Sequence, residues 1–427
     1  MSEGTSIKVE NENDENDAVK TASHISKVGV VGFGTMGQGI ALVLARAGIE
    51  VTAVEVEQTR LDAGLENLKT GLEDRVKRGR MSAEAMASEL ERIKGATSIQ
   101  ALSECDLVIE AALEDMDIKT RIFAELDAVC PAHAILTTNT SSLDIDQIAA
   151  TTSRPENVAG AHFFAPAQVM KLLEIVRGKA TSAETISTLR ALSKRIGKVG
   201  VCVGNGPGFV ANRMYHRYTW QAYFLLQEGA YPADVDQAMQ DFGFSLGCLA
   251  VGDISGQDVA WQVRKGQIAN GFIDLNAPYP VIADAMCEHG WYGRKTGHGW
   301  YLYEDGKRLP NPEANALIEQ TSSDLGITRR DISADEIRKR CLFALINEAA
   351  RLLGMGMVES AEDIDTIWRY GYGFPEKKTG PMHVASELGL DVVLETLKQL
   401  HSRHGWMFDP APLIVEYVKN GKNSFFS

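Results

Sequence analysis

A chain of 427 residues with a hydrophobic share of 44% is long enough for two or three domains with cores of their own and ordinary for a globular protein. Its formal charge of −14 argues against nucleic acid as a partner, and no apolar run is long enough to cross a bilayer. Six cysteines (Cys105, Cys130, Cys202, Cys248, Cys287, Cys341) lack metal-ligand spacing, so no metal is expected and they read as reduced core thiols of a cytoplasmic protein. The amino end lacks the basic-then-apolar pattern of a secretory signal, and the carboxyl end lacks a peroxisomal tripeptide or lipidation motif.

Residues 1–24 hold an acidic run, 9–17, with too little apolar surface to offset ordering, and are expected to be a disordered tail. A short apolar strand then runs into Gly32-Phe33-Gly34-Thr35-Met36-Gly37, and Ile40 to Ala47 continue as a helix ending at Gly48. Gly32 permits a tight turn, Gly34 lets backbone approach a pyrophosphate, and Gly37 lets the helix lie on the strand. The helix N-terminus offers N–H groups to phosphates. The next strand ends at Glu55, a carboxylate suited to ribose hydroxyls and hostile to a 2′-phosphate, so the cofactor is expected to be NAD.

Residues 60–95 are longer than a crossover needs and predict a two-helix excursion. It carries Lys69, Arg75, Lys77, Arg78 and Arg80, a basic cluster on an acidic chain. Such a cluster serves either as a solvated face or as a landing site for a ligand with several phosphates. Strand-like runs follow at Leu107-Val108-Ile109, 134–138, 158–164 and 172–176, with helical stretches between them. Over 25–206 this alternation predicts a Rossmann-type, mostly parallel, doubly wound sheet. His162 ends one strand and Glu174 ends the next, so adjacent strands can join an imidazole base to an orienting carboxylate. Ser141 can offer a hydroxyl to a reacting oxygen, while Ser142 reads as the cap of a helix beginning near Leu143. Asn212, after Pro-Gly-Phe-Val-Ala, can supply an amide to a carbonyl oxygen.

Beyond Pro207-Gly208 the pattern becomes helical and duplicated. Arg213 to Asp236 matches Arg340 to Asp365, Phe242-Gly243-Phe244 matches Tyr372-Gly373-Phe374, and Gly256-Gln257-Asp258-Val259 matches Gly389-Leu390-Asp391-Val392. Two all-α domains are expected, 207–308 and 309–427, divided at the polar stretch 304–312.

With these motifs assembled, the chain resembles the L-3-hydroxyacyl-CoA dehydrogenase family from Ile25 to about Lys419. The matching pieces are the glycine turn, Asp106-Leu107-Val108-Ile109-Glu110-Ala111, Asn139-Thr140-Ser141-Ser142, His162-Phe163-Phe164-Ala165-Pro166, Met170 to Val176, and Pro207 to Arg213. The duplicated helical part is most similar to the dehydrogenase half of bifunctional and multifunctional fatty-acid oxidation enzymes. Only the acidic tail precedes the glycine motif, so hydratase activity is expected to be absent. The resemblance implies reversible NAD-dependent oxidation of a 3-hydroxyacyl-CoA. His162 is then the base, Glu174 its orienter, Ser141 a donor to the 3-oxygen, and Asn212 a substrate-positioning amide. It places Glu114, Lys119 and Asn139 towards the nicotinamide, and Gly71 and Arg78 towards the CoA phosphates. Ala165 and Cys248 depart from the family pattern near the expected substrate mouth. The resemblance also implies that the second helical copy takes the place of a dimer partner, giving a monomer, or a dimer through another surface. Two other readings stand beside this one: a same-fold dehydrogenase of a free hydroxy acid, and a non-catalytic dinucleotide-binding subunit of a fatty-acid oxidation assembly.

Overall fold

The computed structural model describes residues 25–269, 271, 273, 275 and 277–426; the tail expected over 1–24 lies outside the described residues. The chain divides into two compact units at Gly206/Pro207.

The first unit runs β1 (Lys27–Val31), α1 (Thr35–Arg46), β2 (Glu50–Val54), α2 (Gln58–Lys77), α3 (Ala83–Glu91), β3 (Ile93–Ala96), β4 (Leu107–Glu110), α4 (Met116–Val129), β5 (Ile135–Thr138), α5 (Ile145–Ala149), β6 (Val158–Phe163), β7 (Leu172–Arg177), α6 (Ala183–Arg195) and β8 (Val199–Gly204). The strands form one sheet in the order β3-β2-β1-β4-β5-β6-β7-β8. Strands β4, β5 and β6 are buried at every position, as strands covered on both faces must be. The order reverses beside β1, so the crevice at the carboxyl ends of β1 and β4 is the topological switch point of an open α/β sheet.

All neighbouring strands are parallel except β6 and β7. Residues 164–171 between them are too few for a crossover, which needs a dozen or more, so β7 returns antiparallel. The excursion is the pair α2–α3. Leu61, Gly64, Leu68 and Leu72 at helical spacing turn one face of α2 inward. Lys69, Arg75, Lys77, Arg78 and Arg80 are all exposed.

The second unit holds α7 (Ala211–Glu228), α8 (Pro232–Phe242), α9 (Cys248–Ser255), α10 (Gln257–Ala269), α11 (Ile282–Glu288), the hairpin β9 (Tyr301–Glu304) and β10 (Lys307–Pro310), α12 (Pro312–Asp324), α13 (Ala334–Gly354), α14 (Ala361–Gly371), α15 (Pro381–Leu388), α16 (Leu390–His404) and α17 (Pro412–Lys419). The stretch taken from sequence as an interdomain boundary is this hairpin. Asp305 (φ 49°) and Gly306 (φ 76°) form its two-residue turn, which asks for positive φ at both positions. The two copies share one compact unit because α7 packs along α13. Every residue of α13 from Arg340 to Ala350 is buried, as in a helix surrounded on all sides.

The duplication extends to individual hydrogen bonds. In the aligned copies Gln221 and Glu348 hold the same place, as do Arg213 and Arg340. Arg213 pairs with Glu348, and Arg340 donates to Gln221 at 3.1 Å, so each copy's arginine reaches the other copy's acceptor. This is the reciprocity of a two-fold interface, built within one chain. Asp236 accepts from the N–H groups of Leu249 and Ala250 at the start of α9, each at 3.0 Å. Asp365 accepts from Met382 at 2.7 Å and His383 at 3.1 Å at the start of α15. Gly247 and Gly380 lie against these carboxylates so closely that a Cβ would collide with them.

Among the described residues no helix is long and apolar enough to cross a membrane, no group of three or more His, Cys, Asp or Glu could hold a metal ion, and the six cysteines are buried with none in a disulfide. Asp365→Ala strands two backbone donors, at roughly 1–3 kcal/mol for each one left buried and unpaired. Asp365→Asn keeps one acceptor. Urea unfolding should therefore rank the parent above Asp365→Asn above Asp365→Ala; equal midpoints for the two variants would show that the cap adds nothing.

Candidate active site

The three glycines at the start of α1 have separable roles in space. A Cβ on Gly37 would stand 1.9 Å from the Gly32 carbonyl oxygen, so only glycine lets α1 lie this close to the turn. Gly32 has φ of 87° and packs on the Ala111–Ala112 backbone. A Cβ on Gly34 would meet nothing within 4 Å, so this backbone borders open space, the cradle a diphosphate requires. No side chain caps α1 at Gly34, which leaves its N-terminus to a ligand anion. Gly34 and Thr35 are exposed and Met36 is half-buried. Phe33 is buried, with its ring against Gly64, and presents only backbone to the turn. Its N–H donates to Glu55 Oε2 at 3.2 Å, which fixes that carboxylate at the end of β2 beside the turn. These residues fit a dinucleotide.

Further along the sheet edge, Glu110 ends β4 as a fully buried carboxylate. It accepts from Lys119 Nζ at 2.8 and 2.9 Å, from Thr138 Oγ1 at 2.6 Å and from the Ala112 N–H at 2.7 Å. Lys119, placed towards the cofactor by the family resemblance, is 0% exposed, and its charge is committed to Glu110. It also stands 3.6 Å from Glu114, whose side chain is 38% exposed, so its influence on a ligand passes through Glu114. Glu114 Oε1 accepts from Thr140 Oγ1 at 2.6 Å and from Ser141 N–H and Oγ at 2.9 and 3.2 Å, clamping the loop after β5. Asn139 Oδ1 accepts from the Phe163 N–H at 2.8 Å and ties that loop to the end of β6. The expected cap at Ser142 is not the one found. The helix begins at Ile145, its cap is Asp144, and Thr140 Oγ1 takes the N–H groups of Ser142 and Leu143.

His162 and Glu174 face each other directly in the antiparallel β6–β7 register. Imidazole Nδ1 lies 2.8 Å from Glu174 Oε2, with His162 7% and Glu174 0% exposed, and the Phe164 ring is 4.5 Å from the imidazole. The buried carboxylate thus holds the Nδ1 proton and the ring plane. Lys198, overlooked in the sequence, donates to the carbonyls of Ala167 (2.5 Å) and Met170 and ties down the loop that follows. Burial, with help from Arg46, lowers its ammonium to about 8. Counting strand spacings, the edge from the glycine turn through Glu114 and Ser141 to His162 spans about 14 Å.

The remaining residues are carried by other elements. Gly71 is exposed on α2, one turn before Arg75 and two before Arg78. In the helical unit, Asn212 occupies the first turn of α7, half-buried, with Oδ1 2.6 Å from the Tyr372 hydroxyl. Cys248, expected at a substrate mouth, is 3% exposed at the first turn of α9.

A family model for the 3-hydroxyacyl-CoA dehydrogenase NAD binding domain matches residues 27–206. The model for the C-terminal domain of the same enzymes matches at 208–303 and again at 337–424. The chain belongs to the 3-hydroxyacyl-CoA dehydrogenase family. The peroxisomal bifunctional enzyme of Danio rerio is 45% identical over 411 residues, 93% of this chain and 56% of that protein. The chain spans about half the length of the curated relatives it matches. The 3-hydroxybutyryl-CoA dehydrogenase of Escherichia coli superposes with a TM-score of 0.81 at 30% identity, over 93% of this chain and 99% of that one. The (S)-3-hydroxybutyryl-CoA dehydrogenase of Ralstonia eutropha does so at 0.62 and 37%, over 66% of this chain and 100% of that one. Family membership makes NAD the cofactor of the glycine turn.

The glycine geometry separates binding from folding. Gly34→Ala should weaken NADH binding about tenfold or more, equivalent to about 1.4 kcal/mol, with no change in thermal midpoint. Gly37→Ala should cost roughly 1–3 kcal/mol of stability through the forced backbone shift. Fluorescence titration and calorimetry read the two effects; a Gly34→Ala protein that binds NADH like the parent would remove the phosphate role of that backbone.

Proposed function

We propose that this chain catalyses the reversible oxidation of a (S)-3-hydroxyacyl-CoA to the 3-oxoacyl-CoA with NAD. The observation that carries the reading is the buried His162–Glu174 pair, held at the same sheet edge as the dinucleotide turn. Bound at that turn, NAD supplies the acceptor for the hydride that leaves C3 of the substrate.

The chain's own residues divide the remaining work. With Nδ1 held by Glu174, His162 takes the hydroxyl proton at Nε2 and returns it in the reverse direction. Glu174 faces the ring at Nδ1 and prevents it from turning. Ser141, held through its backbone N–H on Glu114, turns its hydroxyl proton from Glu114 to the 3-oxygen when substrate binds, and Glu114 and Asn139 shape the nicotinamide end. Glu55 accepts from ribose hydroxyls and repels a 2′-phosphate. Asn212 donates its amide N–H to a carbonyl oxygen of the substrate. Gly71 and Arg78 lie on the exposed face of the excursion, where Arg75 and Arg78 offer charge to the phosphates of CoA. A free hydroxy acid makes no use of that cluster.

For the assembly we propose a monomer, supported by the reciprocal Arg213–Glu348 and Arg340–Gln221 contacts between the copies. For the compartment we propose the cytoplasm, supported by six cysteines of which none is in a disulfide, although matched relatives carry "peroxisomal" and "glyoxysomal" in their names.

NADH formation across a panel of 3-hydroxyacyl-CoA thioesters, with the free acids as controls, tests the substrate class: turnover is expected only with the thioesters, and equal turnover of the free acids would overturn it. In the same assay His162→Ala should lower kcat by about 10² to 10⁴ while NADH still binds. A kcat within a few-fold of the parent would exclude the imidazole as the base.

A further inference from the structure

Asn212 stands in the first helical copy, but the side chain that fixes its amide comes from the second. Tyr372, just past α14, places its hydroxyl 2.6 Å from Asn212 Oδ1, a distance typical of O–H···O bonds. A phenol is a better donor than acceptor, so the amide oxygen is the atom it engages. Asn212 Nδ2 has no partner among the described residues. The Tyr372 ring is itself held. It stacks on Tyr215 at 4.4 Å with 6° between the planes, and Trp368 lies 5.1 Å away on the same chain segment. Tyr215 in turn donates to the Cys248 carbonyl at 3.3 Å.

Unlike the reciprocal arginine contacts and the aspartate caps, this contact has no counterpart in the other copy. The aligned position in the first copy is Phe242, which has no hydroxyl, and the position aligned with Asn212 in the second copy is Lys339. The packing contacts and the aspartate caps occur twice; this hydrogen bond occurs once, at the asparagine.

We propose that Tyr372 is a positioning residue for the reaction. It holds the Asn212 amide with its N–H donors, rather than its carbonyl, turned towards the substrate oxygen. This deepens the reading of Asn212 given above and rests on it. Without the hydroxyl the amide can flip and present an oxygen to an oxygen, so a fraction of bound substrate is held unproductively.

Tyr372→Phe removes the hydroxyl and keeps the stacked ring. With a 3-hydroxyacyl-CoA and NAD, its kcat/KM should fall about three- to tenfold, the usual worth of one such hydrogen bond. NADH affinity and thermal midpoint should stay at the parent's values. Asn212→Ala should lose more, and Tyr372→Phe added to Asn212→Ala should lose nothing further. If Asn212→Ala matches the parent, the substrate role of Asn212 itself is wrong. If Asn212→Ala is impaired but Tyr372→Phe is not, or if the two losses multiply in the double variant, Tyr372 does not act through Asn212. The non-additivity also separates positioning from folding, since a stability loss would persist in the double variant.

Discussion

The reversal of chain direction between β6 and β7 is the constraint on which the site depends. A parallel β7 would need a crossover, and its first residues would start from the opposite end of the sheet. The short connection instead brings Glu174 back opposite His162, one residue against one, in a register fixed by the strand hydrogen bonds. The imidazole therefore needs no mobile loop to find its carboxylate. Because Glu174 is fully enclosed, its charge must be met by protein groups rather than by water, and the imidazole Nδ1 is one of them. Lys198 adds to this by holding the carbonyls of the connecting loop from the start of β8.

Four glutamates line the same edge, and surroundings rather than residue type separate their duties. Glu110 is spent structurally, since a carboxylate with a bidentate ammonium, a hydroxyl and an amide has no capacity left for a ligand. Glu114 is partly exposed and joins that buried pair to the loop carrying Ser141, so the loop's position is referred to the sheet rather than to solvent. Among the described residues Glu55 takes one N–H, from Phe33, and keeps acceptor capacity beside the nucleotide turn. Glu174 faces the His162 imidazole. Exchanging any two would leave either a buried charge unpaired, at several kcal/mol, or a ligand group unread.

The glycine turn, the strands on either side of it and the His162–Glu174 pair were legible because their signals are local. Glycine spacing, apolar runs and polar residues at strand ends all act within a few positions of one another. The ion pair at Lys119 was missed for want of one inference: a glutamate closing the otherwise apolar Leu107-Val108-Ile109 needs a buried cation, and Lys119 on the next helix is the nearest in sequence. The hairpin over 301–310 was read as a linker because its Asp-Gly turn is polar, although the alternating Tyr301-Leu302-Tyr303 beside that turn is a strand signal. Asp144 displaced Ser142 as cap because Thr140 takes up the preceding N–H groups, a competition that composition does not settle. Tyr372 had no local signal, since its partner is 160 residues away and only the packing of the copies joins them.

In an assembly of two identical chains every substitution at the interface appears twice, so a residue that helps one site is imposed on its symmetric mate. Duplication within one chain lifts that restriction. The aspartates that cap α9 and α15 and the arginines that cross between α7 and α13 are kept in both copies because each copy must fold. Asn212 and Tyr372 face each other as different residues from their aligned counterparts, Lys339 and Phe242, so this contact is set in one copy without being imposed on the other. Covalent linkage also removes the concentration dependence that an association of separate chains would carry. The second copy is thus a packing partner wherever the symmetry survives, and at Tyr372, where it fails, the geometry has a direction that a symmetric interface could not impose on one side alone.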